Sequence, residues 1–323
     1  MSAIDCGPIV SAPASRAFPL RKLAAGVVAL GGTGACILLV LKLAATPWPF
    51  AHAEPRLVGV AAALLAVSLF MRVAGWQRLF ARGERPDRHA CLASASVAAI
   101  SSAVVPLKLD YALKIWLLRR MSRNVALEAG VVSLCTLGLV DAAVLFFPAV
   151  TGAVTSPAPA IRASLLVLCA VAAVCGGLLI SASRMEQLPL LRRSRRLRGA
   201  AARIARRVSD VRENLVAFLL LSASLWIRAG ALGMLLASLG VGFSIAAALV
   251  YICLTAGSAF VPIPSFGMGA GTVALGAAGM SLAHAAQFAL ALSLLSMIAS
   301  AAIALAVGAL IGGRRLGRSL SRA

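Results

Sequence analysis

The sequence predicts an all-α polytopic membrane protein with about six full transmembrane helices and a pair of re-entrant hairpins that form an inverted repeat. Hydrophobic residues make up 61% of the 323 residues and charged residues only 13%, whereas a soluble domain carries about 25% charged residues. The apolar residues fall in long runs, with most basic residues between them. Lipid therefore solvates most of the chain, and roughly eight full spans are the alternative architecture.

The basic residues point to a membrane rather than to nucleic acid. Lysine and arginine total 31 residues against 10 aspartates and glutamates, which gives a net charge of +21. Because the basic residues lie between apolar runs, they resemble the lysine and arginine excess of short cytoplasmic loops. We therefore expect anionic lipid headgroups as partners and no nucleic-acid partner.

Common catalytic motifs are missing from the sequence. It contains no H-E-x-x-H, no G-x-S-x-G and no P-loop, which mark metalloproteases, serine hydrolases and nucleotide-binding proteins. The seven cysteines form no C-x-x-C pair and most lie in apolar segments, as buried hydrophobic cysteines do. We therefore expect no catalytic residue, no metal site and no cofactor, and we do not expect an enzyme.

Six apolar runs are long enough to cross a bilayer as helices. They cover residues 23–45, 57–75, 127–150, 161–183, 215–240 and 282–311. The first run is too long for the core of a signal peptide, so we interpret it as a retained span. Arg72 and Arg78 open a series of arginines at the end of the second span, and Arg314 opens another after the last span. These charges place both termini in the cytoplasm.

The same charges divide the chain into three regions. Residues 1–22 form a cytoplasmic tail, residues 23–312 a single membrane domain and residues 313–323 a basic cytoplasmic tail. Within the membrane domain, the loop 184–212 contains ten arginines against Glu186 and Asp210. We interpret this loop as a determinant of cytoplasmic orientation, with recognition of particular lipids as the alternative.

Two segments are too short or too broken to span. Residues 91–105 would rise only about 22 Å as a helix, less than the hydrocarbon core of about 30 Å. Pro106 ends that run, and the charged segment 107–121 follows it, which predicts a re-entrant hairpin from the cytoplasm. Residues 241–281 must begin and end outside, because the span before them leaves the cytoplasm and the span after them returns. We expect a second hairpin there, with two crossings as the alternative.

The second hairpin contains a stretch of broken sequence. Lipid cannot satisfy the N–H and C=O groups of broken backbone, so such a stretch is buried in protein or lines a wet cavity. Its glycines allow a headgroup phosphate to approach the backbone at the start of a short helix predicted at 272–280. Close helix packing by small residues is the alternative. The candidate substrate-binding residues here are Pro262, Pro264, Ser265, Gly267, Gly269, Gly271 and Thr272.

The two hairpins also share short sequence matches. Residues 103–106 (Ala-Val-Val-Pro) match residues 259–262 (Ala-Phe-Val-Pro), and Met-Ser at 121–122 matches Met-Ser at 280–281. One hairpin enters from the cytoplasm and the other from outside, as in an inverted-topology repeat. In such repeats the substrate site usually lies near the midplane, where the discontinuous elements meet.

Four ionisable residues lie at or near membrane depth: Asp110, Lys114, Asp141 and Arg228. Residues of this kind usually face the interior of the bundle or water, so we take them as candidates for substrate binding. An ion pair between Asp141 and Arg228 is the alternative for those two. Asp110 and Lys114 are one helical turn apart, so an i, i+4 pair or a solvated interfacial face is the alternative there.

Several of these segments resemble the lysylphosphatidylglycerol synthase transmembrane (flippase-like) family. Residues 262–269 (Pro-Ile-Pro-Ser-Phe-Gly-Met-Gly) are similar to its P-x-S-P-G-G-x-G motif, and residues 106–110 resemble an earlier element that runs from a proline to an acid. Asp141 resembles the acid of its third span, and residues 225–240 resemble the span before the second motif. Thr272 stands where the family has an acid, and Leu109 where it has a glycine.

The resemblance implies a lipid translocase in a bacterial inner (cytoplasmic) membrane, a stand-alone member without the soluble synthase domain. It implies movement of a phospholipid, a hopanoid or a glycolipid between leaflets, and lipid-biosynthesis proteins as possible partners. Two alternatives remain open. One is a membrane-embedded transferase acting on lipid-linked substrates, with Asp110 as its acid or base, and the other is a non-catalytic partner of a lipid-synthesis complex.

Overall fold

A computed structural model describes residues 48–102, 109–122, 125–155, 158–180, 210–257, 266–277 and 279–320. The predictions for residues 1–47, for the loop residues 184–209 and for Pro262, Pro264 and Ser265 fall outside these ranges. Within them, all regular secondary structure is helical.

The described helices are numbered α1 to α10 in chain order. They are α1 (Pro55–Arg78), α2 (Arg88–Ser102), α3 (Leu109–Met121), α4 (Leu127–Val144), α5 (Phe146–Thr155), α6 (Pro159–Ile180), α7 (Val211–Ser238), α8 (Ile245–Gly257), α9 (Phe266–Ala277) and α10 (Leu282–Leu320). A 3-10 turn, Arg82–Glu84, follows α1.

Five helical segments are long and apolar enough to cross a membrane, judged by length and composition. They are Pro55–Arg78, Leu127–Thr155, Pro159–Leu179, Arg212–Ser238 and Leu282–Leu310. Each lies where the sequence predicts a span, which confirms the coarse prediction of a helical, multi-pass membrane protein. The short helices α2 and α3 lie where the sequence predicts the first hairpin.

The predicted span at 127–150 consists of two helices. The first, α4, ends at Val144, and α5 begins at Phe146. Pro148 has no N–H to donate to the carbonyl of Val144, so the α-helical ladder is interrupted there. The ten residues between the predicted spans 127–150 and 161–183 were expected to form a loop, which is mostly wrong, because α5 continues to Thr155 and α6 begins at Pro159.

The glycines of the second predicted hairpin lie in a helix rather than in broken backbone. Gly267, Gly269, Gly271 and Thr272 all belong to α9, which begins six residues before the predicted short helix. The expectation of broken backbone was wrong for this part of the segment. The turn after the helix contains Gly279, whose φ of +97° suits glycine. There the N–H of Met280 reaches the carbonyl of Leu275 in a Schellman pattern.

Helices α1 and α7 pack antiparallel along their whole length and form the most extensive contact between described helices. The Glu54 N–H donates to the carbonyl of Ser238 at one end, and Arg78 pairs with Glu213 at the other. Between these ends Gly75 lies so close that an added Cβ would be 3.0 Å from a side-chain carbon of Leu221. Small residues at such seams let two membrane helices approach closely.

The apolar core has two clusters. One contains Leu65, Leu165, Leu235, Leu249 and Phe288 among its buried residues. The other contains Trp76, Phe80, Leu118, Leu137 and Leu221. Helices α1, α7 and α10 contribute to both clusters, and Leu225 packs against both.

Candidate functional site

A cavity of about 600 Å³ lies among helices α1, α2, α3, α4, α7 and α10. Its walls include residues of both apolar clusters, such as Leu65 from one and Trp76 from the other. The polar or ionisable side chains in its lining are Ser68, Arg72, Asp110, Tyr111, Lys114, Asp141, Arg228, Ser296 and Ser300. The cavity thus brings together all four of the charged residues that the sequence predicts as candidates.

Asp141 pairs with Arg72, not with Arg228. The Arg72 guanidinium donates to the Asp141 carboxylate and joins α1 to α4. The alternative in which Asp141 pairs with Arg228 is therefore wrong. The sequence analysis counted Arg72 only among the arginines that mark the cytoplasmic end of the second span, whereas it lies inside α1 and lines the cavity. Its position six residues before the end of the helix explains the difference, because Arg78 and further arginines follow within the next few turns.

Arg228 is the second arginine of the cavity, and it comes from α7. Among the described residues, no carboxylate lies within 4.0 Å of its guanidinium, since every described ion pair involves other arginines. Its side chain is half-buried. An arginine in an apolar bundle is retained where it contacts a polar partner, water or a ligand.

Lys114 contacts an aromatic ring in the cavity wall. Its ammonium lies 3.9 Å from the centroid of the Trp76 ring, within the range of a cation–π interaction. The Trp76 indole N–H donates to the hydroxyl of Ser133 at 3.3 Å, which joins α1 to α4 at this point. The buried indole is therefore held between Lys114 of α3 and Ser133 of α4.

Asp110 also lines the cavity, one helical turn before Lys114 on α3, and Tyr111 lies beside it. With ordinary charges, the lining carries three cations and two carboxylates, so its ionisable groups leave one positive charge. An anionic group of a ligand would balance that charge. Such a ligand would meet guanidinium groups, which bind phosphate and carboxylate oxygens through paired hydrogen bonds.

Of the candidates on α9, Gly269, Gly271 and Thr272 are not among the described residues that line this cavity. Gly271 faces α8, where an added Cβ would be 2.4 Å from a ring carbon of Tyr251 and 3.0 Å from the methyl group of Thr255. Gly269 has no such neighbour within 4 Å among the described residues. Close packing of two helices, which was the alternative for the glycines, therefore accounts for Gly271.

A second ionic cluster joins the end of α1 to the start of α7. The Glu213 carboxylate pairs with Arg78 at 3.2 Å, with Arg85 at 2.8 Å and with Arg82 at 3.8 Å. Arg82 also lies 3.8 Å from Asp210, the N-cap of α7. This cluster lies outside the cavity lining and fixes the end of the α1–α7 seam.

Sequence reasoning missed Arg72, Trp76, Tyr111, Ser296 and Ser300. An unused signal could have identified Arg72. The sequence Leu-Leu-x-x-Ser-Leu-x-x-Arg occurs at residues 64–72 and again at 220–228. In the structure, the two serines of this pattern contact each other: each hydroxyl donates to the other's carbonyl, Ser68 at 2.9 Å and Ser224 at 2.8 Å.

No group of three or more histidine, cysteine, aspartate or glutamate side chains in the described ranges is placed to hold a metal ion. Comparison with protein families, with curated proteins and with solved structures finds no match to the chain. The case for a function therefore rests on the chemistry of the cavity.

Proposed function

We propose that the protein is a lipid translocase, which moves a lipid with an anionic headgroup between leaflets. The observation that carries the proposal is a polar cavity with three cations and two carboxylates inside a bundle of long apolar helices. Burying ionisable groups in such a bundle costs free energy, and they usually mark a pathway for an ion or a substrate. A headgroup phosphate supplies the negative charge that the lining lacks.

Signs of an inverted repeat support the proposal. Ser68 and Ser224 are 156 residues apart, and the same separation relates Arg72 to Arg228 and Pro106 to Pro262. In a two-fold interface, residue i contacts j in the same way that j contacts i. The reciprocal hydrogen bonds of the two serines have this property, so we place a pseudo-two-fold axis between them.

The helix contacts repeat in the same way. Helices α1, α2, α3 and α4 contact one another in sequence order, and so do α7, α8, α9 and α10. The short pairs α2–α3 and α8–α9 would be the two re-entrant hairpins, entering from opposite sides. Repeats of this kind place their substrate site between the discontinuous helices and the helices that surround them.

The proposed orientation follows from the basic segments. The loop after α1, the arginine-rich loop 184–212 and the C-terminal tail would face the cytoplasm. Both termini would then be cytoplasmic, with about six full spans. A bacterial inner membrane is the location that the family resemblance implies. Anionic headgroups would gather at the basic segments before one enters the cavity.

In this mechanism Arg228 binds the headgroup, and the acids balance the charge of the other cations in the cavity. Arg228 would hold the headgroup phosphate, while Arg72 remains paired with Asp141. Trp76 and Lys114 would close one wall of the cavity against the acyl region. The sequence contains no P-loop, so movement would be facilitated or coupled to an ion gradient. Asp110 would be the proton carrier, or Asp141 in a state in which its pair with Arg72 is open.

Reconstitution into liposomes tests the proposal. Purified protein should accelerate loss of outer-leaflet asymmetry for fluorescent phosphatidylglycerol, measured by dithionite quenching. Arg228→Gln should reduce that rate by about tenfold or more, since a lost contact to a charge is worth about 1.5–3 kcal/mol. The control is Arg56→Gln, which removes an exposed arginine outside the cavity. If the wild-type protein moves no labelled lipid, or if both variants behave alike, the proposal is wrong.

The position of Asp110 keeps the transferase alternative open, because a membrane-embedded transferase needs an acid or base that faces its substrate. Asp110 lines the cavity. Incubation with a lipid extract, followed by mass spectrometry of the lipids, would detect a new lipid product. If such a product forms with the wild-type protein and disappears with Asp110→Asn, the transferase reading replaces the translocase.

A further inference from the structure

The proposed repeat also relates residues that line the cavity. After the hairpins, the separation between matching residues becomes 159: Met121 matches Met280, and Ser122 matches Ser281. The same separation aligns Asp141 of α4 with Ser300 of α10. Both residues line the cavity. Each follows its hairpin by the same number of residues, so each occupies the same place in its half.

The two halves therefore differ in one charge at equivalent positions. In the first half, Arg72 of α1 pairs with Asp141 of α4. In the second half, Arg228 of α7 corresponds to Arg72, and Ser300 of α10 corresponds to Asp141. Helices α7 and α10 contact each other, as do α1 and α4. Serine carries no charge, so Arg228 has no built-in counter-ion at the place where Arg72 has one.

We propose that Ser300 determines the charge class of the ligand, because it leaves Arg228 free to bind one phosphate-type anion. This inference rests on the proposed function and specifies the site at which the headgroup binds. The guanidinium would form paired hydrogen bonds to two phosphate oxygens, and the Ser300 hydroxyl can donate to a third. Arg72 takes no part in holding the anion, because Asp141 already neutralises it.

The decisive variant is Ser300→Asp, which supplies the missing acid. It would make the second half resemble the first, and the new carboxylate would occupy Arg228. The matched control is Ser300→Asn, because asparagine has nearly the same size as aspartate and carries no charge. Binding is followed by the fluorescence of Trp76, which lines the cavity, in detergent-solubilised full-length protein. The other three tryptophans are replaced by phenylalanine, and the probe is short-chain dihexanoylphosphatidylglycerol.

We expect Ser300→Asp to weaken binding of this probe by about tenfold or more, since about 1.4 kcal/mol corresponds to a factor of ten. Ser300→Asn should stay within about threefold of the parent protein. Equal affinities for the aspartate variant and the parent would overturn the inference. An equal loss in both variants would also overturn it, since the charge would then not be the cause.

An exchange of the two residues separates position from net charge and guards against misfolding of a single variant. The double variant Asp141→Ser/Ser300→Asp keeps the total charge of the cavity and moves the free arginine to the first half. It should bind the probe within about threefold of the parent. A double variant that folds, by its thermal melting, but binds as weakly as Ser300→Asp would contradict the inference.

Inorganic phosphate as a competitor distinguishes the source of the anion. Displacement of the lipid probe only by phosphatidylglycerol assigns the site to a lipid headgroup, as the translocase requires. If inorganic phosphate displaces the probe at concentrations similar to those of phosphatidylglycerol, and Ser300→Asp still weakens binding of the probe, the role of Ser300 is supported. The same result would contradict the proposal that the protein is a lipid translocase. The two proposals can therefore fail separately.

Discussion

Asp141 and Arg72 depend on each other within the bundle. Replacing Asp141 with asparagine leaves the Arg72 guanidinium without its carboxylate in a partly buried position. We expect Asp141→Asn to lower the free energy of unfolding by about 1–3 kcal/mol, the cost of an unsatisfied polar group. Thermal melting in detergent measures the effect. The control Glu84→Gln removes an exposed acid and should change stability by less than about 0.5 kcal/mol. Equal melting of both variants would contradict this account of the pair.

Two glycines of α9 provide a matched test of packing. Gly271→Ala would force a methyl group against Tyr251 and Thr255, so we expect a loss of about 1–3 kcal/mol of stability from overpacking. Gly269→Ala meets no neighbour within 4 Å in the described part of the chain and should stabilise the helix by about 0.5–1 kcal/mol. Thermal melting compares the two. Should Gly269→Ala slow lipid movement without loss of stability, its backbone contacts a ligand.

At the scale of single residues, the sequence indicated which ionisable side chains line the cavity better than it indicated which side chains they pair with. Asp110, Lys114, Asp141 and Arg228 were predictable because an ionisable side chain in an apolar run is rare. Arg72 was not, since the arginines after it made it look like the end of a span. Its pairing with Asp141 depends on how α1 and α4 pack, and the hydropathy of the sequence does not show how two helices pack.

The α1–α7 seam is where the two halves of the proposed repeat would meet. Because the Ser68 and Ser224 hydroxyls lie 3.1 Å apart, cysteines at these positions should form a disulfide when isolated membranes are oxidised. We expect Ser68→Cys/Ser224→Cys to cross-link, in a background where the seven native cysteines are replaced. Ser68→Cys/Ser222→Cys places the second cysteine on another face of the same helix and should not. A gel shift in both variants, or in neither, would show a different register.

Long apolar helices were predictable as elements, because about 20 apolar residues in succession have few other stable forms in a membrane. The break at Leu145 was not predicted, although Pro148 offered a signal for it. The helix α9 was misjudged for a related reason. Its glycines read as a break, but contact with α8 stabilises the helix around Gly271. Local sequence cannot show this contact.

For the whole molecule, the proposed topology predicts which connections share a side. The segment before α1 lies beside the start of α10, since Gln287 donates to the carbonyl of Pro49 at 3.0 Å. The turn after α1 lies at the other end of the bundle. A membrane-impermeant maleimide should therefore label His52→Cys and His284→Cys in intact cells, and label Glu84→Cys only after lysis. Labelling of all three in intact cells would contradict the proposed orientation.

The division of the apolar core has a mechanical consequence. Close-packed apolar interiors resist compression and transmit strain, so each of the two clusters would move as a nearly rigid block. The cavity has walls from both clusters, and the hydrogen bonds of its charged side chains can be exchanged for others at little net cost. Rocking of one block against the other would be concentrated at the cavity. Helices α1, α7 and α10 contribute to both clusters and would tilt during this motion, with the pivot near the paired serines Ser68 and Ser224.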